Sequence, residues 1–345
     1  MTEHTTIHSS APTSICDNGG WTDTWFAGYG TVFSIAIEPR VYVELTARPR
    51  DATRPRVLID AKVFGDRYAP TGLDSRNWGR HPLLEAAIVE VGVPEDLSIE
   101  VSIASDAPFG ASIGTSAATC VALVGALDAL RPEPMGPADI ARAAWRVETE
   151  QLGQQSGVQD QLAAAYGGIN LIHIDPYPNA SVERVEVPAA TLAELERRIV
   201  VVYLGAPHRS SSIHDTVIAE LVRSGPRAAA LRALRETARP SAAALAAGDF
   251  DALGRAMIAN TDAQRLLHRE LVGELAELVI AVAGKHGVLG HKVNGAGGDG
   301  GAITLLTNGD DEATRQLIAD VTAIGSGCAV LSFRLAGDGL RIDRR

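Results

Sequence analysis

The sequence predicts an α+β chain organised as two domains. Three observations lead there. At 345 residues the chain is longer than one ordinary core requires. Stretches of strand pattern alternate with stretches of helical pattern in both halves, mixed with hairpin signals. The pattern then changes around Arg197, which places a boundary near residues 190–198 and gives domains 11–195 and 196–345.

The elements follow in order. Residues 1–10 read as a frayed tail. Residues 32–45 are rich in β-branched residues and Tyr and read as a strand or hairpin arm, with a second strand around 57–63. Residues 81–91 place Leu84, Ala87, Ile88 and Val91 at helical spacing. Residues 97–103 alternate as a strand and lead through a Gly- and Ser-rich stretch, 108–116, into an apolar helix over 117–130. An amphipathic helix with Pro in its first turn covers 137–153, and a strand covers 169–174. In the second half, 199–204 is a strongly apolar strand. Residues 226–285 are mostly helical, broken near Pro240 and Gly248. Strands at 302–306 and 330–335 flank a helix over 312–323.

Composition narrows the function. The chain is 46% hydrophobic and 21% charged, enough apolar content for a real core. A net charge of -11 argues against non-specific nucleic-acid binding and against a polybasic membrane anchor. It does not argue against ATP, because backbone amides and magnesium handle phosphate charge locally. Cys16, Cys120 and Cys328 are odd in number and show no paired spacing, as expected of a reducing cytoplasm without structural zinc. No signal-peptide pattern opens the chain, and apolar runs such as 278–283 are too short to span a bilayer. The expectation is a cytoplasmic protein, monomer or homodimer, with a small-molecule partner.

The informative segment is Pro108-Phe109-Gly110-Ala111-Ser112-Ile113-Gly114-Thr115-Ser116-Ala117-Ala118, between a strand and a helix. Gly110 and Gly114 allow a tight turn close to a ligand. Thr115 and Ser116 fall where free N–H groups and the positive dipole end would meet an anion. The same residues also suit a Ser/Thr-capped helix after a flexible loop. No Lys follows the last glycine, so this is not a Walker loop. Two other segments stand in order around it. One is Ala11-Pro12-Thr13-Ser14-Ile15-Cys16-Asp17-Asn18-Gly19-Gly20-Trp21-Thr22-Asp23. The other is Lys292-Val293-Asn294-Gly295-Ala296-Gly297-Gly298-Asp299-Gly300-Gly301.

Together the three resemble the motifs of the GHMP kinases, whose phosphate loop reads P-x-G-x-G-L-G-S-S-A. The pattern is most similar to that of the anomeric sugar kinases, of the D-glycero-D-manno-heptose 7-phosphate kinase and L-fucokinase type. The resemblance implies an N-terminal domain like that of a ribosomal protein, a ferredoxin-like C-terminal domain with extra helices, and a site between them that uses ATP and magnesium. It implies a phosphate site at Gly110, Ala111, Ser112, Gly114, Thr115, Ser116 and Ala117. Gln159-Asp160-Gln161 resembles the family's D-Q segment, which makes Asp160 the group facing the accepting hydroxyl, beside Gln159. Glu148 lies 12 residues before Asp160, the family's spacing for the magnesium-binding Glu, with Ser116 as its companion; Glu150 reads as solvated. Gly19, Gly20, Trp21, Thr22, Asp23, Gly295, Gly297 and Gly298 are the implied substrate side, and Asp299 reads as a loop residue.

Two departures stand out. Ser112 replaces a glycine. Ser14 replaces an Arg that sits near the transferring phosphate, which removes a cation from the transition state. Arg209 and Lys292 are candidates to replace it. Arg209, in a Ser-rich segment over 205–212, also suits a distal sugar phosphate. The expected activity is phosphorylation of the anomeric hydroxyl of a heptose- or octose-type sugar phosphate, giving a sugar 1-phosphate for nucleotide-sugar synthesis. The alternatives are a fucokinase-like kinase of a free sugar and a non-catalytic sugar- or nucleotide-binding homologue.

Overall fold

The computed structural model describes residues 4–108, 110–205, 215–219, 221, 228–298, 300–325 and 327–345. Two sheets organise them. In the first, β1 (Thr5–Asn18) pairs antiparallel with the long β2 (Gly30–Pro49). Beyond β2 lie β5 (Leu97–Ser105), then β3 (Val57–Ala61), parallel to β5, and β4 (Asp66–Tyr68). The other end of β2 pairs with β6 (Ile169–Ile174), which pairs with β7 (Ala180–Arg184). Four helices cover this sheet: α1 (Pro82–Val91), α2 (Thr115–Asp128), α3 (Pro137–Arg146) and α4 (Gln159–Tyr166). Every residue of α2 except Ser116 is buried, as expected of a helix that is apolar all round.

After α5 (Ala189–Arg198), a second, antiparallel sheet has β8 (Ile199–Leu204) and β10 (Ala302–Leu306) at its centre. Its edges are β9 (Gly290–Val293) and β11 (Cys328–Leu331). Helices α8 (Glu274–Lys285) and α9 (Asp311–Ala323) pack against it. Between the sheets, α6 (Ala228–Ala247) and α7 (Phe250–Leu267) share a core with Phe33, Ile35 and Val201. Among the described residues, no helix is long and apolar enough to cross a membrane. The architecture is the expected mixture of helix and sheet.

Four local expectations are corrected. Residues 5–10 are not a frayed tail. They form the outer half of β1, where Ile7 is fully buried and Ser9 Oγ donates to the Ala122 carbonyl at 2.6 Å. Their partners include β13 (Arg341–Arg344), more than three hundred residues away, and no local signal reports such pairing. Pro240 does not break its helix. It lies inside α6, whose neighbouring residues Ala238 and Leu245 are fully buried, so packing outweighs the lost hydrogen bond; the break comes at Gly248, with φ +70°. The strand expected over 330–335 is two: β11 in the second sheet and β12 (Arg334–Leu335) against β2 in the first. The helix expected over 137–153 also changes character, passing from α-helix to a π-type turn at Val147–Gln151.

From β12 onward the chain has thus returned to the first sheet. Arg40, only 1% exposed, holds it there, donating to Ser10 and to the carbonyls of Asp338 and Gly339. That buried guanidinium is satisfied by the Ser10 hydroxyl and backbone carbonyls, with the Glu38 carboxylate farther off at 3.9 Å.

Candidate active site

The end of β1, the loop before α2, the start of α4 and the turn after β9 meet at a cleft of about 500 Å³. Its phosphate-like end is made by the loop before α2. Gly110, Ser112 and Gly114 have φ of +69°, +54° and +72°. A left-handed residue at every second position is a pattern from which backbone N–H groups form an anion-binding concavity. Helix α2 starts without a side-chain cap, so its first-turn N–H groups remain available. Thr115, 6% exposed, has an Oγ1 with no partner among the described residues. A buried orphan hydroxyl beside an uncapped helix start fits a polyphosphate.

Ser112 shows what the missing glycine costs. It holds the left-handed conformation with a side chain, which is unfavourable for a non-glycine residue. That side chain reaches the third glycine motif. A Cβ at Gly301 would lie 2.5 Å from Ser112 Oγ, and one at Gly295 would lie 2.9 Å from the Ser112 carbonyl oxygen. The two loops meet at Ser112, and the glycines opposite make room for it.

Next to the loop, Ser116 Oγ donates to Glu148 Oε1 at 2.9 Å. Ser156 Oγ and Gln161 Nε2 donate to Glu148 Oε2 at 2.7 and 2.6 Å. The π-type turn carries Glu148 inward, while Glu150 is exposed as expected. Burial pushes the Glu148 carboxyl up, and the three hydrogen bonds oppose that rise. A buried carboxylate without a counter-cation among the described residues, touching a hydroxyl, offers the hard oxygen donors that magnesium takes alongside phosphate oxygens. Ser116 and Glu148 therefore fit that ion.

The other end of the cleft holds carboxylates. Asp160 Oδ1 accepts from Gln159 Nε2 at 2.5 Å and from Ser14 Oγ at 3.4 Å. Its carboxyl is pushed up to about 8, first by burial and then by the charges of Asp17, Asp23 and Glu148. Asp23 Oδ2 accepts from the backbone N–H groups of Val158 and Gln159 at 2.9 and 3.0 Å, so it anchors the start of α4 while lining the cleft. Gly157 leaves it space, since a Cβ there would lie 1.9 Å from Asp23 Oδ2. Asp17 was not anticipated as a site residue. It lines the cleft, and its Oδ1 accepts from Lys292 Nζ at 3.0 Å and from the Gly295 N–H at 3.1 Å.

Of the expected residues, the cleft brings together Gly20, Trp21, Asp23, Gly110, Ala111, Ser112, Gly114, Thr115, Ser116, Ala117, Glu148, Gln159, Asp160 and Gly295. Four lie outside its lining. The Gly19 N–H donates to Asn260 Oδ1, Thr22 Oγ1 donates back to the Gly19 carbonyl, and Gly297 and Gly298 abut the Leu271 carbonyl. These four shape the turns behind the wall. Lys292 is fully buried and paired with Asp17, so its charge is already committed. Arg209 and Asp299 lie outside the described residues. Trp21 is 5% exposed and left-handed at φ +72°, held by packing with Leu231, Leu234 and Leu267. Beyond Asp17, sequence reasoning missed Ser156, which holds Glu148, and an apolar end formed by Ala61, Val63, Phe64 and Leu83. Only the β3 pattern hinted at the latter.

Comparison with known proteins bears on this geometry. The profile of the GHMP kinases N terminal domain matches residues 83–168, the segment from α1 through α4. A D-glycero-alpha-D-manno-heptose 7-phosphate kinase from Campylobacter jejuni is 25% identical over 213 residues, an alignment covering 62% of this chain and 62% of that relative. A galactokinase from Chloroflexus aurantiacus is 25% identical over 338 residues, covering 86% of this chain and 84% of the other. Among solved structures, a D-glycero-D-manno-heptose 1-phosphate kinase from Bacteriodes thetaiotaomicron superposes with a TM-score of 0.73 at 21% identity, covering 98% of each chain.

Proposed function

We propose that the chain, whose residues 83–168 match the GHMP kinases N terminal domain, is a GHMP kinase that moves the γ-phosphate of ATP onto a hydroxyl of a sugar. One observation carries the reading. Asp160, held between Gln159 and Ser14, lines the same cleft as the uncapped start of α2 and the Ser116–Glu148 pair. A proton acceptor, a polyphosphate cradle and a set of hard oxygen donors are the parts that phosphoryl transfer requires.

The roles follow from the geometry. The loop from Gly110 to Gly114 and the first turn of α2 hold the phosphates. Ser116 and Glu148 would hold magnesium, which when bound neutralises charge on the phosphate oxygens. Asp160 takes the proton of the acceptor hydroxyl as its oxygen bonds to the γ-phosphorus, and ADP leaves. Asp23 keeps α4, and so Asp160, in place through its two backbone hydrogen bonds. The apolar end at Val63, Phe64 and Leu83 suits a nucleotide base.

For the acceptor, the heptose phosphate kinases among the relatives support the anomeric hydroxyl of a heptose- or octose-type sugar phosphate as the first substrate to test. ADP release is followed with ATP and either heptose or heptose 7-phosphate, and the new phosphate is located by phosphorus–proton coupling. Coupling to the anomeric proton, with preference for the phosphorylated sugar, is the expected result. Better turnover of free fucose replaces this reading with a fucokinase-like one. No ADP release from any sugar rejects the kinase reading in favour of a binding homologue.

A further inference from the structure

The reaction derived above does not use Asp17. It is 5% exposed and lines the cleft with Asp23 and Asp160. In all three, the hydrogen bonds that other residues make to the carboxylate fall on one oxygen, and Asp23 also accepts from its own backbone N–H. For Asp17 these come from Lys292 and Gly295, for Asp23 from the α4 amides, and for Asp160 from Gln159 and Ser14. Asp17 and Asp160 each have a second oxygen that accepts no hydrogen bond among the described residues. Gln159, 6% exposed and also lining the cleft, adds a side-chain Oε1 with no partner among the described residues. Acceptors therefore outnumber donors at this end.

Positive charge is short as well. Among the described residues, the basic side chains lining the cleft are Arg80 and His81, and both face Asp66, at 2.7 and 3.1 Å. Lys292 is committed to Asp17. The magnesium assigned above belongs to Glu148 and Ser116, not to these three aspartates. Gln159 Oε1, buried without a partner among the described residues, is unfavourable as it stands, and an anionic group placed beside the aspartates is repelled. The ligand that relieves both conditions brings N–H donors and a positive charge.

We propose that the acceptor is an amino sugar, bound with its protonated amine against the second oxygen of Asp17 and a neighbouring hydroxyl against Asp160. This rests on the kinase reading above and names the substrate class of the same site. An ammonium makes a charge-assisted hydrogen bond where a sugar hydroxyl makes a neutral one. Any phosphate the acceptor carries must sit at its far end, away from the three aspartates.

The test compares sugars that differ only in the group at issue: glucosamine with glucose, galactosamine with galactose, and glucosamine 6-phosphate with glucose 6-phosphate. ADP release by the full chain is measured with ATP and magnesium. The expected result is a kcat/KM about tenfold higher for the amine in at least one pair, and loss of that preference when the amine is acetylated. Asp17→Asn should bring the amine-to-hydroxyl ratio close to one. Because that change strands the buried Lys292, the double variant Asp17→Asn/Lys292→Met is measured beside it. Turnover of sugars without any preference for the amine overturns the inference and leaves the kinase reading standing. A preference that survives both variants overturns the assignment to Asp17. ADP release from none of these hexoses overturns the inference and leaves the kinase reading to its own test with heptose 7-phosphate.

Discussion

At the proposed phosphate end of the cleft the ligand-facing groups belong mainly to the backbone, whereas at the proposed acceptor end they belong to side chains. The first is built from Gly110, Ser112 and Gly114 in left-handed conformations and from the uncapped start of α2. The second is built from Asp17, Asp23 and Asp160, carried by β1, the turn after it, and α4. A backbone site tolerates change in side chains but not in backbone conformation. A side-chain site tolerates the reverse. The two ends should therefore fail in different ways when altered.

The sharpest way to break the contrast is Asp160→Asn. Losing the proton acceptor should lower kcat by about 10²–10⁴-fold while the Kd for ATP stays near normal, because the phosphate end is untouched. Isothermal titration and turnover, measured together, check both halves. The same variant should raise Tm, and more so at pH 9 than at pH 5. The folded protein holds Asp160 neutral until about pH 8, whereas the unfolded chain ionises it above about pH 4. Its burial penalty therefore grows as pH rises through that window, and Asn removes it.

Glu148→Gln sits where the two ends meet. Removing the carboxylate should raise the magnesium concentration for half-maximal rate by about 10–100-fold, the usual scale for altered metal support. An unchanged magnesium dependence would mean that the metal is held by ATP alone.

A smaller effect comes from pH. Asp160 accepts a proton only when ionised, so kcat/KM for the free enzyme should rise as pH passes about 8. A group titrating there is about one-eleventh ionised at pH 7 and ten-elevenths at pH 9, which gives about a tenfold increase. A profile flat from pH 6 to 9 would show that Asp160 orients the hydroxyl without taking its proton.

The smallest expected effect is at Ser112→Gly, which restores a residue suited to the left-handed conformation but removes the contact with Gly301. These oppose each other, so KM for ATP should move by less than about threefold. A larger change would mean that the Ser112 hydroxyl itself binds phosphate, and the backbone description of that end would need a side chain.

The same contrast explains what was legible in the sequence. The phosphate end lies in one contiguous stretch, and glycine spacing before an apolar helix announces it. Asp160 and Glu148 were visible through a motif and a spacing. Asp17 was not, because its meaning depends on Lys292, which is 275 residues away. The sequence also offered Lys292 as a free cation to compensate for Ser14, and only the fold shows it already paired. The strands were legible where alternation is local, as in β3 and β5. β1 was missed over residues 5–10 because much of what holds it is distant. Pro240 misled because the proline rule is local and the packing of α6 is not.

The return of the chain to the first sheet has a consequence for the order of synthesis. β1, which carries Asp17 into the cleft and Ser14 against Asp160, lies between β2 and β13. While a ribosome is still translating the middle of the message, β1 has a bare edge, and Arg40 lacks the Asp338 and Gly339 carbonyls that satisfy it. A strand made before β2 is thus finished only after β13. A chain interrupted before residue 334 would expose a strand edge beside an unfinished catalytic wall, a form suited to recognition by chaperones and proteases rather than to partial activity.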